Sequence, residues 1–125
     1  MNNDRFKYRV WDKREKRYND RYVIGSDGWA YELVDVSDEG YDLFCNEEVI
    51  IEQCTGLKDR NGKLIYEGDV ISRDNGHRKE IRYYQGGFGW WTEYDDFVSF
   101  SWHRHLEEIL KNHEIIGNIH DKEQK

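Results

Sequence analysis

Proline is absent from all 125 residues of the chain, and alanine occurs once, at Ala30. The first absence excludes proline-rich docking segments in the chain itself. The second removes the strongest helix former, and with ten isoleucines, seven valines and nine tyrosines present, local preference turns toward pleated, half-buried strands. Two cysteines, Cys45 and Cys54, are too few for a secreted disulfide framework, and their spacing fits no zinc motif. Both read as reduced thiols. Long apolar runs are missing as well: the longest uncharged one is four or five residues, and the opening MNNDRFKYR has no apolar stretch, so neither a membrane span nor a signal peptide is expected. The expected location is the cytoplasm.

Basic charge is missing from one whole segment. Between Tyr22 and Leu57 there is no lysine or arginine against nine acidic residues, whereas the first 21 residues carry eight basic side chains against four acidic. The remaining chain is close to balance, and the total is −7. Two segments of opposite sign are expected to meet, within one fold or between copies. Leucine, isoleucine, valine and phenylalanine are scarce for a folded domain, and the shortage is met by 19 aromatic residues, which bury a large area each. The length is that of a single compact domain over 1–125, with a possible subdivision into an N-terminal β-rich part, 1–55, and a second part, 56–120.

What is present reads as short strands. Phe6, Tyr8 and Val10 alternate with Lys7 and Arg9, which predicts a half-buried strand from Arg5 to Trp11. Tyr22–Ile24 and Trp29–Leu33 flank a glycine turn and predict a hairpin; Asp35 to Asn46 reads as acidic and irregular; Glu48 to Thr55 predicts a further strand. After a turn-rich link ending at Lys63, strands are expected at Ile65–Ile71, Glu80–Tyr84 and Phe88–Glu93, with reversals at Asp74-Asn75-Gly76 and Gln85-Gly86-Gly87. Trp102, Leu106, Ile109 and Leu110 form the apolar stripe of one short helix near residues 102–111, with Ser99 or Ser101 as N-cap, and a closing strand follows from His113 to Ile119. The fold class expected is mainly β (α+β minor), an SH3-type β-barrel in the C-terminal half with additional N-terminal strands.

Three runs carry a family resemblance. Thr55 to Ile71, TGLKDRNGKLIYEGDVI, resembles the TGLKDKNGKEIYEGDIV signature of the YopX-like phage and prophage proteins. Phe6 to Asp12 is similar to that family's KFRAWD segment, with Tyr8 and Val10 in place of the usual Phe and Ala. Glu114 to His120 is similar to its EVIGNIY, followed by Asp121 to Gln124 where the family has ENPEL. The resemblance implies an accessory protein of bacterial viruses or their integrated remnants, built on an SH3-type barrel and working in the bacterial host cytoplasm. It implies no catalytic residue, cofactor or activity.

The residues themselves agree on the chemistry. No Ser lies in a G-x-S-x-G elbow, and Gly86-Gly87-Phe88-Gly89 is neither a P-loop nor a dinucleotide fingerprint. Asp59-Arg60-Asn61-Gly62 lacks the remaining ligands of a calcium loop and reads as a turn. Glu67-Gly68-Asp69 reads as structural, its glycine permitting close backbone approach or a bulge and its aspartate bonding nearby amides. His103 and His105 diverge if helical, which leaves only His103, His113 and Glu107 as a set that could meet around a metal; Glu93, Asp95 and Asp96 read as a solvated loop. No catalytic, cofactor or metal residue is assigned, no small-molecule substrate is expected, and the protein is read as a non-enzyme.

The expected function is therefore a non-enzymatic macromolecule-binding module, with a protein partner or self-association. Its candidate surface is the aromatic and basic cluster Tyr84, Trp90, Trp91, Arg78 and Arg82; adjacent Trp90 and Trp91 on a strand must face opposite sides. One alternative is single-strand nucleic-acid binding by those aromatics and the basic N-terminal residues, which the net charge disfavours. Another is an acidic nucleic-acid mimic formed by residues 22–57.

Overall fold

The computed structural model describes residues 3–74 and 76–122. Among them the chain is mainly β, and it divides into two compact units. One unit holds the residues up to Tyr8 and from Gln53 onward; the other runs from Arg9 to Glu52. The chain passes between them inside β1 (Tyr8–Asp12) and inside β6 (Val49–Lys58).

The first unit is built on an antiparallel sheet of β8 (Asp69–Ser72), β9 (Lys79–Tyr84), β10 (Gly87–Trp91), β11 (Phe97–Ser99) and β12 (Glu114–Asn118). Its order is β11-β10-β9-β8-β12, so the last strand returns to lie beside the first and the sheet curls into a half-barrel. This is the SH3-type outline expected from tight turns and one short helix before the closing strand. Side chains two apart share a face, so Ile81 and Trp90, directly opposite each other, point inward while Arg82 and Trp91 point outward. The core is Ile65, Ile71, Ile81, Trp90 and Leu110, against which Leu57, Val98, Phe100, Leu106 and Ile115 pack. Full burial of each isoleucine contributes about 1.5–3 kcal/mol.

The signature run proves to be scaffolding. Asp59 is buried, and its carboxylate accepts the amides of Asn61 at 2.9 Å and Lys63 at 3.0 Å through one oxygen and that of Ile115 at 3.0 Å through the other. One side chain thus closes the Asn61-Gly62 turn and ties it to β12. The expected strand Ile65–Ile71 is instead two, β7 (Leu64–Tyr66) and β8, separated at Gly68, whose φ of +91° only glycine adopts readily. Asp69 accepts the Tyr66 amide at 2.8 Å across that reversal, and Gly68 donates its own to Ile81 O at 2.7 Å. The structural reading of Glu67-Gly68-Asp69 holds.

The second unit pairs β1 with β2 (Arg17–Tyr18) and contains a separate sheet of β3 (Tyr22–Ile24), β4 (Ala30–Asp35) and β5 (Tyr41–Cys45), in the order β3-β4-β5. The hairpin is the expected one. Val10, Trp11 and Ala30 are buried, and Trp11 meets Tyr18 edge-on at 5.1 Å. Opposite charges meet here: buried Glu52 accepts from Arg9 Nε and Tyr18 Oη, each at 2.8 Å, and Arg14 lies 3.5 Å from Glu48.

Four local expectations are corrected. The N-terminal strand starts at Tyr8, because Asp4–Phe6 forms a 3-10 turn closed by the Lys7 amide on Asp4 O; Phe6 is exposed. Residues 41–45, expected to be irregular, form β5, whose apolar positions lie on both faces and so show no period of two. Strand β6 runs on to Lys58, with a register irregularity after Cys54. The helix is shorter than its stripe: Phe100–Trp102 is a 3-10 turn capped by Ser99, α1 spans Leu106–Leu110, and Trp102 is 70% exposed rather than turned to the core. The reversal expected at Asp74-Asn75-Gly76 has its middle residue outside the described ones.

Candidate functional site

The outer face of the half-barrel sheet carries an aromatic cluster. On β9, Glu80, Arg82 and Tyr84 share that face; on β10, Trp91 does, and the register pairs it with Phe97 on β11. The rings of Tyr84, Trp91 and Phe97 form a triangle, with centroids 5.2 Å apart for Tyr84–Trp91, 5.1 Å for Tyr84–Phe97 and 5.2 Å for Trp91–Phe97. Their planes are inclined by about 60°, the edge-to-face arrangement that ring quadrupoles favour. Gly89 makes the triangle possible: a Cβ there would run into the Phe97 ring and Val98 O. Tyr84 remains 43% exposed.

A groove of about 670 Å³ borders the triangle at Trp91, and its walls carry both signs, Arg78 and Arg82 against Glu67, Glu80, Glu93 and Asp95. Arg82 Nε lies 3.6 Å from Glu80. The Glu93 carboxyl is held below its ordinary value, first by the Arg78 amide donating at 2.9 Å and next by the His77 ring at 3.2 Å. A second groove of about 550 Å³, at the β9–β10 turn, has no charged residue in its wall and includes Phe100 and Trp102.

Of the surface expected from the sequence, Tyr84, Trp91, Arg78 and Arg82 lie on or beside this face. Trp90 does not: it is 5% exposed, sits in the core, and stacks on His103 at 5.1 Å, which removes it from any docking surface. Phe97 belongs with the others and was missing from the expected set. Its signal was the uncharged Gly89 between two aromatic positions, legible only once the β10–β11 register is known.

The histidines do not converge. Among the described residues no three His, Cys, Asp or Glu side chains are placed to hold a metal ion. His113 is buried, and its Nδ1 lies 2.8 Å from Ile109 O, which can only accept; Nδ1 is therefore the protonated nitrogen, and Nε2 accepts from Lys79 Nζ at 3.0 Å. Burial pushes the His113 ring below its ordinary value, with the charges of Lys79, Arg73 and Arg60 adding to the effect and the Ile109 carbonyl opposing it. Burial likewise lowers Lys79, helped by Arg73. No helix among the described residues is long and apolar enough to cross a membrane.

With this geometry in place, the comparisons with known proteins are specific. The family model described as YopX protein matches residues 7–124. The crystal structure of protein EF1440 from Enterococcus faecalis is similar over 94% of each chain, with a TM-score of 0.61 at 26% sequence identity, and has the same fold. No curated protein matches the chain.

Proposed function

The chain belongs to the YopX family of phage-type proteins, and on that premise we propose that it is a non-enzymatic accessory protein that docks another protein on the outer face of its half-barrel sheet. The observation that carries this reading is the Tyr84–Trp91–Phe97 triangle, partly open to solvent and bordered by a groove of mixed charge. Aromatic residues with an arginine beside them are the groups most enriched at the centres of protein interfaces.

Nucleic acid is the weaker occupant. Single strands need open ring faces and a uniformly basic track, whereas these rings lean on one another and Glu80, Glu93 and Asp95 share the groove with the two arginines. A non-enzymatic role is supported by how the signature carboxylates are used, since Asp59 and Asp69 hold backbone amides. The unpaired thiols Cys45 and Cys54 support a reducing compartment, the bacterial host cytoplasm.

The test is affinity capture from lysate of a bacterial host, comparing wild type with the double variant Trp91→Ser, Arg82→Glu, each checked by thermal melting. A partner retained by wild type and lost by the folded variant is expected. Equal retention by both, or no partner retained by wild type, overturns the proposal.

A further inference from the structure

The second unit holds an interface of a different kind. All five residues of β5 are exposed, with Tyr41 at 64%, Leu43 at 47% and Phe44 at 50%. Among the described residues the order β3-β4-β5 leaves one side of β5 without a neighbouring strand, and its five pairs with β4 run from Tyr31↔Cys45 to Asp35↔Tyr41 without a bulge. Exposed sheet edges are ordinarily guarded by lysine, proline or a bulge. Here no lysine occurs between residues 22 and 57, the chain has no proline, and the register is unbroken.

The direction of the open groups follows from the ladder. Asn46 donates to Ala30 O and Val36 to Gly40 O, so even-numbered positions bond inward to β4 and the period of two turns the amides of Tyr41, Leu43 and Cys45 outward. The Leu43 amide is occupied by the Asp42 carboxylate at 2.8 Å, a local contact that an incoming carbonyl can replace. The charge of this segment is of one sign. Asp35, Asp38, Glu39, Asp42 and Glu47 lie on or beside the strand, and 22–57 contributes no lysine or arginine; Arg14, from outside that segment, lines a hollow with Phe44 and Cys45 and lies 3.5 Å from Glu48. A second copy pairing antiparallel would set Asp38 and Glu39 against Glu47 of the other chain, like charge on like charge.

We infer that the open edge of β5 receives an extended basic strand of a partner protein, which lengthens the β3-β4-β5 sheet through main-chain hydrogen bonds to Tyr41, Leu43 and Cys45. Backbone pairing supplies affinity in such strand addition, and alternate side chains supply selectivity. Lysine or arginine at alternate positions meets the acidic rim, and apolar residues between them cover Leu43 and Tyr41. The site is separate from the aromatic triangle and does not depend on it.

The test is fluorescence anisotropy of a labelled heptapeptide alternating lysine and valine, titrated with the full chain. Three comparisons accompany it: the glutamate–valine peptide, the lysine–valine peptide N-methylated at alternate amides, and the variants Leu43→Pro and Glu39→Lys with Asp42→Lys. Proline fits at position 43 because that amide faces outward rather than to β4, and hydrogen exchange at β4 verifies the ladder. The expected result is binding of the lysine–valine peptide that N-methylation, either variant or the acidic peptide weakens by about tenfold or more, while Trp91→Ala leaves it unchanged. Absence of binding overturns the inference. So does equal binding of the N-methylated peptide, which would mean charge attraction alone, or loss of binding in Trp91→Ala. A dimer by light scattering that Leu43→Pro makes monomeric also overturns it, assigning the edge to a second copy.

Discussion

Single side chains decide more of this molecule than their exposure indicates. Asp59 accepts three amides from two segments far apart in sequence, so Asp59→Ala removes the acceptor of three part-buried hydrogen bonds at once. It is expected to cost about 2–4 kcal/mol, read from the shift of a urea unfolding midpoint, with Asn61→Ala costing far less. His113 adds a pH dependence. Its folded ring is held neutral below the unfolded value of about 6.5, so the unfolded chain binds more protons as the solution is acidified. The stabilisation is complete above about pH 6.5 and is lost as pH falls toward the folded value. Urea midpoints between about pH 7 and pH 5 should therefore decline in wild type and flatten in His113→Gln. Cysteine accessibility is a third residue-scale outcome: Cys45 is exposed and Cys54 buried, where burial also raises the thiol's pKa. Ellman's reagent should titrate one thiol in the native chain and two in denaturant.

At the scale of elements, the β10–β11 pair shows how a small residue positions large ones. The Phe97 ring occupies the space above Gly89, and Gly89→Ala forces it aside. Overpacking of this kind is expected to lower stability by about 1–3 kcal/mol and to open the triangle, which aromatic ring-current shifts of Trp91 in NMR spectra would register. Strand β5 teaches the opposite lesson. Its residues alternate poorly because neither face is covered, and a strand that packs on nothing leaves no binary pattern to read. The apolar stripe runs longer than the helix for a related reason: Trp102 stands at helical spacing from Leu106, yet the 3-10 turn capped by Ser99 ends before α1 begins, and that indole is exposed.

Over the whole molecule, charge is arranged rather than merely abundant. The acidic 22–57 segment and the basic N-terminal one meet at the part-buried Arg9–Glu52 pair and the exposed Arg14–Glu48 pair, and the groove on the half-barrel face carries both signs. A polyphosphate strand should therefore find no binding site: a labelled oligodeoxynucleotide is expected to show no salt-sensitive anisotropy change with the full chain, and such a change would favour the nucleic-acid alternative. Hydrogen exchange should rank the elements the same way their burial does, with β8–β10 amides protected longest and the outward amides of β5 exchanging first.

The sequence by itself determined the mainly β class, the half-barrel's succession of short strands, the reversal at Asn61-Gly62, and the family, because period-two alternation, glycine turns and a contiguous signature are local properties of the chain. Tertiary structure alone decided which aromatic faces outward. Trp90 and Trp91 are neighbours of the same type, and only the pairing of Trp90 with Ile81 over the core, and of Trp91 with Phe97 on the other face, tells them apart. It also decided that Asp59 serves β12 and that β5 is a strand with an open edge. Those outcomes depend on which distant segments become neighbours, and that is set by the burial of the whole core rather than by any window of sequence.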